Sequence, residues 1–280
     1  MKKIFAILAI SLSAVSYENA QANGLAEVPV LDFEKVKAEA HAAWVEEMDD
    51  IVVKGGTKEQ KKNFYTAIYH TKICPNVMSD VDGSYRRHDN TIGKVAQGKA
   101  YYSTFSLWDT FRAAHPLYTL IAPDVAAQFV RDMLLHHDTY GYLPIWDLWG
   151  QENYCMIGNH AIPVLSDAIL AELPDIDVEK TYRAMVESST RSHYNSPFEV
   201  WEKHGYMPQN LQNMSVSITL EQAFDDWCVA AVAKKLGKTA DYERFHKRSE
   251  SYRNLFHKES GFFRPKNDKG EWVEPFDPLS

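Results

Sequence analysis

Trp108 and Asp109 stand side by side in "YYSTFSLWDTFRAAHPL" (residues 101–117), with Arg112 and His115 close behind. A helix through residues 105–112 would put Trp108 and Arg112 on one face at i, i+4 and Leu107 and Phe111 on another, with Asp109 and Arg112 spaced to pair at i, i+3. Pro116 is expected to break this turn, since proline has no N–H to give residue 112 and biases His115 away from helix. A carboxylate beside an indole suits sugar binding. The carboxylate accepts hydrogen bonds from two hydroxyls while the indole covers the apolar face of a pyranose. The alternative is an Asp–Arg structural pair beside a core Trp, and the residues alone leave both open.

A second group is "YLPIWDLWGQENYCMIGNH" (residues 142–160), where Trp146, Trp149, Glu152 and His160 fall in or beside a loop that leads into a helix at about Gly158. Two Trp and a Glu on one loop fit a sugar subsite, or a loop pinned by its own aromatics. Pro163 is tolerable in the first turn of the following helix. In "TLEQAFDDW", Glu221 and Asp225 are four apart, so two like charges share one helical face. That is mildly unfavourable unless a cation or hydroxyl partners them. Such pairs serve glycoside hydrolysis, proton transfer or calcium, but also suit a helix's first turn. Asp80, Asp82 and Asp89 around Gly83 resemble a calcium loop only loosely and lack the EF-hand placement, so a turn is expected. Nucleophile elbows, phosphate loops and dinucleotide fingerprints are absent.

The elements that must position these side chains read mostly as helices after residue 31. "DFEKVKAEAHAAWVEEMDDI" gathers Phe33, Val36, Ala40, Trp44 and Met48 near one face behind an N-cap at Asp32. Thr57 and Gln60 have capping-box spacing at the head of the next helix. Further helices are expected in "APDVAAQFVRDMLLHH", "GNHAIPVLSDAILAEL", "DVEKTYRAMVESSTRSHY", "SITLEQAFDDWCVAAVAKKLG", which ends on Gly237, and "ADYERFHKRSESYRNLF". Strand-like segments are short: residues 4–15, 50–54 and "GFFRP" near 261. The long loops, 71–102 and 141–157, are of the length that usually carries function. Helices joined by loops of alternating length predict antiparallel hairpins arranged as a toroid.

Bulk properties exclude several classes. Of 280 residues, 45% are hydrophobic and 24% charged, which argues against disorder. A net charge of −8 with no basic run argues against nucleic acid as a partner. Seven Trp and fifteen Tyr fit a large core or a sugar site. Three distant cysteines, Cys74, Cys155 and Cys228, make neither a disulfide framework nor a zinc site and read as buried free thiols. At the amino terminus, "MKKIFAILAISLSAVSYENAQAN" has the pattern of a secretory signal ending near Ala20-Gln21-Ala22, and equally that of a hydrophobic strand. No other run reaches the ~18 apolar residues a membrane span needs.

Four stretches, "YYSTFSLWDTFRAAHPL", "GYLPIWDLWGQENYCMIGNHAIPVLSDA", "SITLEQAFDDWCVAAVAKKLGK" and "GFFRPKNDKGEWVEPFDP", closely resemble glycoside hydrolase family 92, the calcium-dependent exo-acting α-mannosidases. The resemblance implies a mainly α fold, part of an (α/α)6 toroid of the six-hairpin glycosidase type, over residues 31–280. Residues 1–30 would be a signal-like segment or, as their own resemblance favours, the last strand and connector of the family's preceding β-sandwich. It implies inverting hydrolysis of mannose-containing glycans, of exo-α-1,2 type, by an exported, periplasmic or cell-surface enzyme. Trp108 and Asp109 look like the family's mannose-binding WDT residues, and Arg112 is counted with them. Trp149 and Glu152, near Cys155, sit in a segment similar to the second sugar-contacting loop, although Asn153 stands where the family usually has Thr. The family's general acid glutamate, its general base aspartate and its Ca2+ contacts belong to later motifs, expected beyond Ser280 and not found here. Glu221 and Asp225 fall in a motif read as structural. The chain is thus expected to be the first part of a catalytic domain whose remainder is a possible partner from the same polypeptide. The alternative is a non-catalytic glycan-binding protein.

Overall fold

A computed structural model describes residues 32–194 and 196–279 of the chain. The described residues divide into two compact units, 32–105 with 147–151, and 106–146 with 152–279. The expected boundary near residue 30 and the signal or strand at residues 4–15 lie outside the described residues. So does Ser280, beyond which the acid and base motifs are expected.

In the first unit, α1 (Phe33–Met48) starts where Asp32 accepts a hydrogen bond from the Lys35 N–H at 3.1 Å. Helix α2 (Lys58–Thr71) carries the complete capping box: Thr57 and Gln60 satisfy each other's backbone N–H groups. The two helices are tied by Lys72, a buried ammonium that meets Glu47 at 2.9 Å and Asp50 at 2.7 Å. Removing either partner would leave a buried charge short of compensation. Residues 50–54, expected as a strand, form none. The Val53 N–H is taken by the Tyr65 hydroxyl at 3.3 Å instead of a strand partner, and Val52 faces solvent.

The stretch 71–102, expected as a loop, is built from short antiparallel pairs. β1 (Asn76–Val77) joins β4 (Tyr102–Ser103), and β2 (Ser84–Arg86) joins β3 (Ile92–Lys94) with Tyr85 opposite Gly93. The acidic residues serve its turns: Asp82 accepts from the Ser84 N–H at 2.9 Å and Asp89 from the Thr91 N–H at 3.0 Å.

The second unit is mainly helical: α3 (Leu107–Thr110), α4 (Ala114–Ile121), α5 (Pro123–Tyr140), α6 (Ala161–Leu170), α7 (Val178–Ser188), α8 (Phe198–His204), α9 (Ser215–Lys235) and α10 (Thr239–Ser249). A 3-10 helix, Glu250–Leu255, leads into an antiparallel pair of β5 (Phe256–His257) and β6 (Phe262–Phe263), the strand expected near 261. Helix α9 packs chiefly against α10 and α6. One core cluster joins Phe198 and Trp201 of α8 to Met207 and to Ile218 and Ala223 of α9. Gly237, in the left-handed region at φ +70°, terminates α9 just past its last residues.

Pro116 corrects an expectation. It does not end a helix but sits in the first turn of α4, which restarts at Ala114 after the backbone of Ala113 leaves the helical region at φ −146°. A first-turn residue has no intrahelical acceptor for its N–H, so proline loses nothing there. Cys74 and Cys155 correct another: both are exposed, being on connecting segments, and Cys228 on α9 is buried.

Candidate functional site

The chemistry of the opening motif rests on a single helical turn. Leu107 in α3 is fully buried and anchors the turn in the core, so the next two side chains emerge beside it. Trp108 is half-buried and Asp109 exposed. The Asp109 carboxylate accepts a hydrogen bond from the Ser106 hydroxyl at 2.5 Å. Arg112 does not pair with Asp109 as the spacing suggested. Its guanidinium lies over the rings of Trp108 (4.5 Å) and Phe111 (4.6 Å) and faces Glu221 at 3.6 Å. His115 stands apart from this group. It is packed edge-on against Tyr118 and Phe129, and burial pushes its pKa down to about 3, so it is a neutral core residue.

Glu221 on α9 closes the cluster from behind. One oxygen accepts from the Trp108 indole N–H at 3.2 Å, and the other meets His160 Nε2 at 3.0 Å. The second nitrogen of His160 bonds Asp225 at 2.9 Å, and Asp225 also accepts the Asn159 N–H at 2.7 Å. The two like charges that α9 presents four residues apart are therefore separated by a buried imidazole. Burial alone would lower the pKa of His160. Asp225 first and then Glu221 outweigh it and raise the pKa to about 9, which makes the ring a cation at neutral pH. For Glu221, burial acts upward, but bonding to His160 and then to Trp108, with the charge of Arg112, holds the carboxyl below its usual range. Phe111 stacks flat on the imidazole, ring centroids 4.3 Å apart.

The 141–157 loop is organised differently. The Glu152 carboxylate has no solvent exposure and accepts three backbone N–H bonds, from Ile145 (2.8 Å), Trp146 (3.0 Å) and Tyr154 (2.7 Å), with His136 at 3.5 Å. In this geometry it braces the loop. Trp149 belongs to the other unit. Its indole is exposed, and its backbone is in the left-handed region at φ +51°. The next residue fixes that shape: the Gly150 N–H reaches Ser103 Oγ (2.8 Å) and Asp147 Oδ1 (3.1 Å), while Asp147 Oδ2 bonds His88 at 2.7 Å, all of them buried.

Sequence reasoning grouped Trp108, Asp109 and Arg112, of which the structure brings Trp108 and Arg112 into contact, and named Glu221, Asp225 and His160 without joining them. A signal for the junction was present: a like-charged pair on one helical face asks for a cation. Among the described residues, no three or more His, Cys, Asp or Glu side chains converge so as to hold a metal ion. Calcium needs about six to eight oxygens, whereas Glu221 and Asp225 are taken by a cation and Glu152 by backbone donors. The described residues do not form its cage.

Comparison with known proteins agrees with the fold. An α-mannosidase of glycoside hydrolase family 92 from Bacteroides thetaiotaomicron, solved in complex with mannoimidazole, superposes with a TM-score of 0.89 at 40% identity, over 95% of this chain and 35% of that one. A family 92 inverting mannosidase of the same organism gives 0.87 at 31% identity, over 95% of this chain and 37% of that one. An uncharacterized secreted glycosidase of Arthroderma benhamiae is 26% identical over 297 residues, 94% of this chain and 33% of the relative. The chain spans about a third of the length of these relatives, and its mainly helical fold matches the family's (α/α)6 toroid. The model of the glycosyl hydrolase family 92 catalytic domain matches residues 19–280, and the chain belongs to that family.

Proposed function

We propose that this chain supplies part of the mannose-binding wall of an exo-acting, inverting α-mannosidase that works on mannose-containing glycans. The observation that carries the reading is an exposed Asp109 carboxylate on the same helical turn as the half-buried Trp108 indole, whose polar edge is already tied to Glu221. One face of the indole is covered by the Arg112 guanidinium; the opposite face is the one that would cover the apolar side of the terminal pyranose, with Asp109 accepting from its hydroxyls. In the other unit, Trp149 by itself offers an exposed aromatic surface to a glycan. Glu152 serves its loop as a brace, and Asn153 beside it is where this sequence departs from the family pattern.

Inversion needs an acid on the leaving oxygen and a base that activates water on the opposite face of the ring. The family resemblance assigns both, along with the calcium contacts, to motifs beyond Ser280. Neither Glu221 nor Asp225 substitutes for them, since both are held by His160. No catalytic step is assigned to the residues here; their part is to bind and orient the sugar. The fungal relative's description as secreted supports an exported protein. No helix among the described residues is long and apolar enough to cross a membrane.

The chain alone should bind methyl α-mannoside in a calorimetric titration and release no mannose from α-mannosides, with or without calcium. Mannose release that a chelator abolishes would overturn the assignment of acid and base elsewhere. Binding without turnover is also the signature of the second reading, a glycan-binding protein. Adding the remaining catalytic segments of a family 92 relative separates the two, because only the enzyme reading predicts that turnover appears.

A further inference from the structure

We propose that Glu221 and His160 are positioning residues that hold the Trp108 indole and the Arg112 guanidinium in the orientation that meets a bound sugar; the sugar half of this rests on the mannose-binding reading above. Glu221 is placed for the task because its two oxygens serve opposite sides. Oε1 takes the indole N–H at 3.2 Å and faces Arg112 at 3.6 Å, and Oε2 faces His160 at 3.0 Å. An indole on one helical turn can rotate about its χ angles. The bond at its polar edge, with the Arg112 guanidinium over one face, selects one orientation, and the residue stays half-buried.

His160 in turn keeps Glu221 in place. The imidazole is clamped at both nitrogens by carboxylates of α9, with Phe111 flat against its face. Its side chain is 1% exposed, so water does not compete for these bonds. The groups facing it are the anions Glu221 and Asp225 of α9, with the Arg112 cation beyond Glu221. The chain of contacts Asp225–His160–Glu221–Trp108 therefore runs from the buried side of α9 to the turn of α3: hydrogen bonds at its two ends and an ion-pair contact at 3.0 Å between His160 and Glu221. A role in stability alone would be served by the Asp225–His160 bond and would not need Glu221 to reach the indole.

The test is the indole N–H resonance of Trp108 in the nitrogen-15 spectrum of the full chain, assigned by its loss in Trp108→Phe. In Glu221→Ala, hydrogen exchange at this N–H should rise roughly tenfold or more, the loss of one charge-assisted bond, and affinity for methyl α-mannoside should fall in parallel. Glu221→Gln keeps an acceptor of the same shape and should rescue most of both. An unchanged Trp108 resonance in Glu221→Ala would overturn the positioning role. If Glu221 controls the indole but the wild-type chain binds no mannoside, the sugar half fails together with the mannose-binding reading, and the indole measurement identifies which half failed. His160→Gln should shift the same resonance; if it leaves the resonance and the affinity untouched, His160 is not part of the device.

Discussion

Gly158 passes so close to His160 that a β-carbon on it would lie 2.7 Å from the imidazole Nε2 and 3.1 Å from the Glu221 β-carbon. Its backbone is also left-handed, at φ +75°. Both facts require glycine, one for space and one for conformation. Gly158→Ala should cost about 1–3 kcal/mol, seen as a lower thermal midpoint, and should shift the Trp108 indole resonance by displacing His160. An alanine variant with wild-type stability and an unshifted indole would contradict this geometry.

The charge on His160 gives stability a pH dependence of definite sign. Its folded pKa, about 9, lies above the ordinary 6.5, so the folded state holds the proton more tightly than the unfolded chain. This contribution is fully present below about 6.5 and is lost as pH rises through 9. Urea unfolding between about pH 6.5 and 9.5 should show the fall, of order 1–3 kcal/mol, and His160→Gln should flatten it. The same slope in the variant would mean another group is responsible.

Glu152→Gln should destabilise the 141–157 loop rather than alter sugar contact directly. The amide keeps one acceptor oxygen and turns two donors toward backbone N–H groups that the carboxylate had satisfied. A loss of about 2–3 kcal/mol and faster proteolysis within the loop are expected. If instead the fold is untouched and only mannoside affinity drops, Glu152 returns to the role of a sugar ligand.

Asp109→Asn is the converse case. The residue is exposed and bonds Ser106, so thermal stability should change by less than about 1 kcal/mol. Affinity for methyl α-mannoside should fall about tenfold or more, the loss of charge-assisted bonds to hydroxyls. In a complete enzyme, Asp109→Ala should reduce turnover strongly. Near-normal binding in either variant removes Asp109 from the sugar site.

What the sequence made legible was local. Asp32, Thr57 with Gln60, and Gly237 announce helix ends because a cap is decided within about three or four residues of chain. The adjacency of Trp108 and Asp109 on one turn was legible for the same reason, and the family motifs suggested a sugar site there. Pro116 misled because a proline reads alike at a helix's end and in the first turn of the next, and the backbone of Ala113 decides between them. The burial of Glu152 was not legible, because it follows from how the loop folds back, which residue type does not encode. His160 and Asp225 lie 65 residues apart, and only packing between α6 and α9 makes them neighbours. The charge pair on α9 stated the need for a cation but not its source.

The loop around Trp149 has its shape set by Asp147, Ser103, His88 and Gly150, through bonds to backbone and to one another. The indole takes no part in those bonds, and a left-handed backbone under a bulky side chain costs about 1 kcal/mol or more that Gly or Asn would not incur. The frame and the ring are therefore separable. Position 149 is a socket in which one aromatic can be exchanged for another without refolding the loop, so the exposed ring can vary while the scaffold stays as it is.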